Sequence, residues 1–185
     1  GGQDQRAVVE GGDDAPDARR DAGAPVEQVR HQEPGGAQAL PRGAVVSEGI
    51  RGVTANPTIF AKAIEGSNAY DAQFADLLRA GRELIDAYWD VVVDDVVDAL
   101  GVLRPVYDAS GGGDGFVSIE VAPELAHDVD ETIRAAQDLH ERIDRPNLLV
   151  KIPATVEGVD AIAAMIAGAR SINVTLIFSI DRYAE

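Results

Sequence analysis

From about residue 50 to the last residue, short apolar runs alternate with longer amphipathic stretches. That alternation leaves few folds open. The runs are "GIRGVTAN" (49–56), "FVSIEVA" (116–122), "LLVKIPA" (148–154) and "INVTLIF" (172–178). Strand then helix, repeated, predicts an α/β fold of parallel strands joined by right-handed crossovers. The runs are almost continuously apolar, as in a sheet covered on both faces or closed into a barrel. Strands are expected near 51–55, 116–121, 148–152 and 172–178, with helices packed outside.

The segments between them read as helices. "PTIFAKAI" follows Asn56 as N-cap, with Pro57 at the first helical position. Tyr70, Phe74, Leu77 and Leu78 continue at helical spacing. Residues 83–108 carry Leu84, Ile85, Tyr88, Val92, Val96 and Leu100 on one face. Asp90, Asp94, Asp95 and Asp98 of that stretch are most simply a solvated face. Pro123 is expected to start a helix with Leu125, Val129, Ile133, Ala136 and Leu139 inward. Residues 157–168 form a short helix, and "SIDRYAE" begins one more. "SGGGDG" (110–115) is a loop. It follows a helix and precedes a strand, which is the wrong context for a phosphate loop.

Composition narrows the function classes. With 185 residues the chain is one domain or part of a larger one, and 45% hydrophobic content supports a core. Thirty-two acidic against 16 basic residues give a net charge of −16. That balance disfavours nucleic acid and anionic membrane as partners. There is no cysteine, so disulfides and thiolate metal sites are excluded. No apolar run approaches the ~20 residues of a membrane span, and the N-terminus lacks a signal peptide's apolar core. A soluble cytoplasmic protein is the expectation.

Residues 1–47 differ from 48–185, and the two parts are expected to be separate regions. Residues 1–43 contain no aromatic residue and only five Val, Leu or Ile. Such a segment cannot bury enough apolar surface to offset its ordering entropy, so a disordered, low-complexity tail is expected.

The informative residues are polar ones inside apolar runs. They are Glu120 in "VSIEV", Lys151 in "LLVKIPA", Asn173 and Thr175 in "INVTLIF", and Thr54 and Asn56 in "GVTAN". Residues two apart on a strand face the same way, so Asn173 and Thr175 project together. Thr175 is also a good strand former, Asn56 is accounted for as a helix start, and Glu120 suits a solvated strand face. Lys151 is the harder placement, one of only two lysines with Lys62, and interior lysines are rare without a purpose. His127 and His140 lie on polar helix faces and read as surface residues; His31 sits in the tail. No set of His, Asp and Glu has metal-ligand spacing. Burial disfavours the ammonium form of a lysine. The neutral amine is a nucleophile that forms Schiff bases with carbonyls. A nearby carboxylate and hydroxyl could hold a water for proton transfer. Lysine, glutamate, threonine and asparagine on neighbouring strands fit that chemistry better than hydride transfer or metal-assisted hydrolysis.

Taken together, "GVTANPTIF", "VSIEV", "LLVKIPAT" and "INVTLIFS" resemble the transaldolase family, in its bacterial group with the T-x-N-P-T signature. The resemblance runs over about residues 48–185. It implies a (β/α)₈ TIM barrel of the Schiff-base aldolase type, in the pentose phosphate pathway. The implied reaction moves a dihydroxyacetone unit from sedoheptulose 7-phosphate to glyceraldehyde 3-phosphate, with phosphorylated sugars as partners and no metal or organic cofactor. By motif, Lys151 would be the Schiff-base lysine and Glu120 the acid/base, working through a water held with Thr175. Asn56 and Asn173 would bind substrate hydroxyls, with Thr54 lining the same pocket.

The sequence departs from the family at both ends. Residues 1–43 show no counterpart of the first strand and its proton-accepting aspartate. The chain reaches Glu185 just after the expected fifth strand, before the serine and arginine that grip phosphate. Four strands are therefore expected, part of a barrel that needs ~250 residues. An inactive truncated fragment and another Schiff-base aldolase are the alternative readings. Residues 1–43 also read like a GC-rich gene translated out of frame. Translating the other two frames of the coding DNA is expected to yield a strand carrying an acidic residue; its absence from both frames would refute the frame reading.

Overall fold

The computed structural model describes the backbone of Val8–Val9, and residues 49–185. Five parallel strands form one sheet: β1 (Val8–Val9), β2 (Gly52–Thr54), β3 (Phe116–Glu120), β4 (Leu148–Pro153) and β5 (Ile172–Thr175). Their order is β1-β5-β4-β3-β2. The helices are α1 (Pro57–Glu65), α2 (Asp71–Arg79), α3 (Leu84–Ala109), α4 (Val129–Ile143), α5 (Val156–Ala167) and α6 (Ile180–Ala184). From β2 to β5 consecutive strands are neighbours, as in successive units of a (β/α)₈ barrel. The four expected strands are β2 to β5, and with β1 the described strands number five. β1 pairs with β5 (Val8↔Asn173, Val9↔Val174), at the edge opposite β2. It therefore does not stand where a strand preceding β2 would stand. The other expectations for residues 1–47, including His31, fall outside the described residues.

Alternation along the strands sorts the sheet into two faces. Val117, Ile119, Val150, Ile152, Ile172 and Val174 belong to one apolar core with residues of the helices, such as Leu100 of α3, Leu139 of α4 and Met165 of α5. Each fully buried aliphatic side chain of this kind contributes about 1.5–3 kcal/mol. The other face carries Thr54, Ser118, Glu120, Lys151, Asn173 and Thr175.

Polar caps start the helices that follow β2 to β5. Asn56 Oδ1 accepts from Ile59 N at 2.9 Å, with Pro57 behind it as expected. Asp128, Thr155 and Ser179 do the same for α4, α5 and α6. Gly158 in the first turn of α5 meets the end of β4 so closely that a Cβ there would lie 1.9 Å from the Pro153 carbonyl oxygen. At the other end of the sheet, buried Asn147 donates to the Leu100 and Gly115 carbonyls at 3.2 and 2.8 Å.

Several expectations need correction. The helical spacing from Pro57 to Leu78 belongs to two helices, α1 and α2. Pro123 opens a single 3₁₀ turn, and α4 starts after Asp128. Leu84 and Ile85 are exposed, because the covered stretch of α3 begins at Ala87. Asp95 is not on a solvated face: α2 packs along α3, and buried Tyr70 donates its hydroxyl to Asp95 at 2.6 Å. His140 is also buried, since its face of α4 meets the start of β5; its Nε2–H donates to the Ser171 carbonyl at 2.9 Å. His127 is exposed beside Glu157.

Burial holds the His140 imidazole below its ordinary 6.5, with the Arg170 charge acting in the same direction and the Ser171 hydrogen bond opposing. The unfolded chain therefore takes up a proton at a pH where the folded chain does not, and stability rises with pH across that interval. Thermal unfolding is expected to shift to lower temperature as pH falls below about 6.5. His140→Gln should flatten that part of the profile, and an unchanged profile would contradict the burial of this imidazole.

Candidate active site

Lys151 sits on β4, with strands on both sides of it. Cα register aligns Glu120 of β3, Lys151 of β4 and Asn173 of β5 in one row. A second row aligns Thr54, Ser118 and Leu149, and a third pairs Pro153 with Thr175. Lys151 is only 8% exposed, so it is not an edge-strand lysine in solvent.

Two hydrogen bonds cross this face by skipping a strand. Lys151 Nζ donates to Thr54 Oγ1 at 3.1 Å, from β4 over β3 to β2. Asn173 Nδ2 donates to Ser118 Oγ at 3.2 Å, from β5 over β4 to β3. In a flat sheet, strands two apart are separated by ~9–10 Å. Lysine is long enough to lean across, but the short Asn173 and Ser118 side chains close that gap only where the sheet curls toward them, so this is the concave face.

Asn56, Glu120, Lys151 and Thr175 line an open pocket of about 440 Å³ at the C-terminal ends of the strands, together with Leu176, Ile177 and Phe178. Thr54 reaches the site through its bond to Lys151. Asn173 stands in the Lys151 row but does not line the pocket wall. Asn56 does two jobs, since its Oδ1 caps α1 while the residue lines the pocket.

The site is short of polar partners. Asn173 Oδ1 and Thr175 Oγ1 are buried and have no hydrogen-bond partner among the described residues. Such a group costs about 1–3 kcal/mol unless something satisfies it. Burial raises the Glu120 carboxyl above its ordinary 4.5, and the Lys151 charge only partly offsets this. Among the described residues, no group of three or more His, Cys, Asp or Glu could hold a metal ion. No helix among them is long and apolar enough to cross a membrane.

Sequence reasoning missed Ser118 and the pocket wall. Ser118 lies two residues before Glu120, so alternation alone puts it on the same face. The wall was hidden by the expectation of a strand over 172–178. The strand ends at Thr175, because Leu176 takes a left-handed conformation (φ 61°) and turns the chain out of the sheet. Phe178 is left 87% exposed beyond it.

Glu120 loses part of its hydration on folding and has no side-chain hydrogen bond among the described residues, so neutralising it should help the fold. Glu120→Gln is expected to raise stability at pH 7 by at most about 1 kcal/mol after solvent screening. The sign follows from a carboxyl raised in the folded state: its cost is full above the folded pKa and gone below about 4.5. Denaturant titrations at pH 7 and pH 4 should show the gain only at the higher pH. A loss of stability at pH 7 would mean that Glu120 is held by interactions stronger than its desolvation.

Known proteins match this arrangement in sequence. The model of the "Transaldolase/Fructose-6-phosphate aldolase" family matches residues 38–185, starting upstream of the boundary expected at residue 48. A transaldolase of Mycobacterium ulcerans is 52% identical over 137 residues, covering 74% of this chain and 37% of that protein. A transaldolase of Acidothermus cellulolyticus is 54% identical over 136 residues, with the same shares covered. One from Thermobifida fusca is 50% identical over 139 residues, covering 75% and 38%. The chain thus spans well under half the length of these curated relatives. On a match over four-fifths of its residues, the chain belongs to the Transaldolase/Fructose-6-phosphate aldolase family.

Proposed function

We propose that this chain carries the Schiff-base half of a transaldolase site, with Lys151 as the nucleophile. The observation that carries the reading is Lys151 itself: a buried amine on a central strand, held by Thr54, opening with Glu120 and Thr175 into one pocket. A volume of about 440 Å³ suits a small sugar.

In this reading the Lys151 amine adds to the ketone carbon of a donor such as sedoheptulose 7-phosphate. Water leaves and an iminium forms. The bond between the third and fourth carbons then breaks. Its electron pair passes into the iminium, giving an enamine, and the aldehyde fragment departs as a proton leaves its hydroxyl. The enamine attacks the aldehyde carbon of glyceraldehyde 3-phosphate, and water releases the lengthened ketose and the free amine. Glu120, kept protonated to higher pH by burial, donates and recovers protons through a water shared with Thr175. Asn56 and Asn173 hold substrate hydroxyls. No described residue takes the proton released in bond cleavage, so the proposal for these 185 residues covers the covalent step, and complete transfer is proposed for the whole protein. The family description also names an aldolase. A whole-protein assay with and without acceptor aldehyde separates transfer from simple cleavage.

With only Lys62 and Lys151 present, the covalent step has a clean test. Borohydride added with dihydroxyacetone is expected to leave a reduced three-carbon adduct on Lys151, read by peptide mass spectrometry. Lys151→Ala should abolish it. Equal labelling of Lys62, or no labelling of Lys151, would overturn the proposal.

A further inference from the structure

We infer that Thr54 is a positioning residue that keeps the Lys151 amine off the Glu120 carboxyl and so leaves both free to react; this rests on the Schiff-base reading of Lys151. Glu120 is the register neighbour of Lys151 on β3, the adjacent strand. Opposite charges side by side on one sheet face attract each other. Here the two are joined by neither a hydrogen bond nor an ion pair, and Lys151 acts on Glu120 only as a nearby charge. The amine instead passes over β3 and donates to Thr54 Oγ1 on β2 at 3.1 Å. Thr54 stands in the row of Ser118, two residues before Glu120 along the strands, so its hydroxyl draws the amine back from the carboxyl.

The choice of partner matters to the chemistry. A carboxylate holds a lysine by charge and therefore favours the ammonium form, which has no lone pair to add to a ketone. The same pairing favours the ionised form of the glutamate and so weakens it as a proton donor. Burial raises the Glu120 carboxyl, and a close ion pair with Lys151 would pull it back down. A threonine hydroxyl carries no charge and favours neither form of the amine. Its oxygen accepts an N–H from ammonium and free amine alike, and in the second case the lone pair stays free. Thr54 thus fixes Nζ in place without taking away its reactivity, and need not touch the substrate. The other polar side chains of this face, Ser118, Asn173 and Thr175, are uncharged. The separation of Glu120 from Lys151 therefore governs the protonation of both.

Thr54 is exposed and ends the edge strand β2, so replacing it leaves the core intact. Thr54→Val keeps the shape and removes the hydroxyl, and the amine then turns to Glu120. At neutral pH the rate of reductive trapping of dihydroxyacetone on Lys151 is expected to fall roughly two- to tenfold, the worth of one net hydrogen bond. The curve of trapping rate against pH should move to higher pH, because an amine paired with a carboxylate gives up its proton later. Thr54→Ser, which keeps the hydroxyl, should restore both. In a Glu120→Gln background, Thr54→Val should no longer move the curve, since no carboxylate remains to capture the amine. A second measurement needs no adduct. In chain labelled with ¹³C-glutamate, the carboxyl resonance lost in Glu120→Gln should titrate at lower pH in Thr54→Val than in the unsubstituted chain or in Thr54→Ser. An unmoved Glu120 titration in Thr54→Val overturns the inference, as does a shift of the rate curve that persists in the Glu120→Gln background. If Lys151 is never trapped while the Glu120 titration moves as expected, the Schiff-base reading falls and the separation of the two charges by Thr54 stands.

Discussion

The site depends on curvature. Four residues on four strands are tied in pairs by hydrogen bonds that each skip a strand, Lys151 to Thr54 and Asn173 to Ser118. The Asn173–Ser118 bond, between two short side chains, forms only because the sheet curls toward its polar face. Curling draws side chains from separate strands into one small volume, and the apolar face with its helices becomes the convex side. Register does the rest, since it sets Glu120, Lys151 and Asn173 abreast. A slip of one residue in β4 would turn Lys151 into the helices and Ile152 into the pocket.

Concentrating polar groups this way has a thermodynamic cost. Among the described residues Asn173 Oδ1 and Thr175 Oγ1 are buried without hydrogen-bond partners, and Glu120 is partly desolvated with only partial compensation from Lys151. Stability is recovered elsewhere. The apolar core behind the strands, the Tyr70–Asp95 bond and the four polar helix caps supply it. Asn147 Oδ1, at the opposite end of the sheet, is likewise buried without a hydrogen-bond partner among the described residues, so such groups are not confined to the site.

Much of this was legible in the residues, for identifiable reasons. Strands β2 to β5 showed as apolar runs, and residues that violate those runs pointed to the site: Lys151, Glu120 and Asn173 are expensive where they stand. Asn56 announced a helix start through its proline. The rest was set by tertiary packing. Asp95 and His140 have the spacing of surface residues, and only the packing of α2 on α3 and of α4 on β5 buries them. Leu84 and Ile85 keep apolar spacing beyond the covered part of α3. Leu176 continues an apolar run, so its left-handed turn left no trace in composition. Ser118 is small and unremarkable in a strand, and its hydrogen bond is to a partner 55 positions away.

The most direct test of the account is a crystal structure of the chain after borohydride reduction in the presence of dihydroxyacetone. The account predicts density continuous from Lys151 Nζ into the pocket between Glu120 and Thr175, with the Asn56 or Asn173 side-chain amide within ~3 Å of an adduct hydroxyl. A Lys151 side chain directed to the helix side of the sheet, or an adduct whose polar groups meet only solvent, would contradict it.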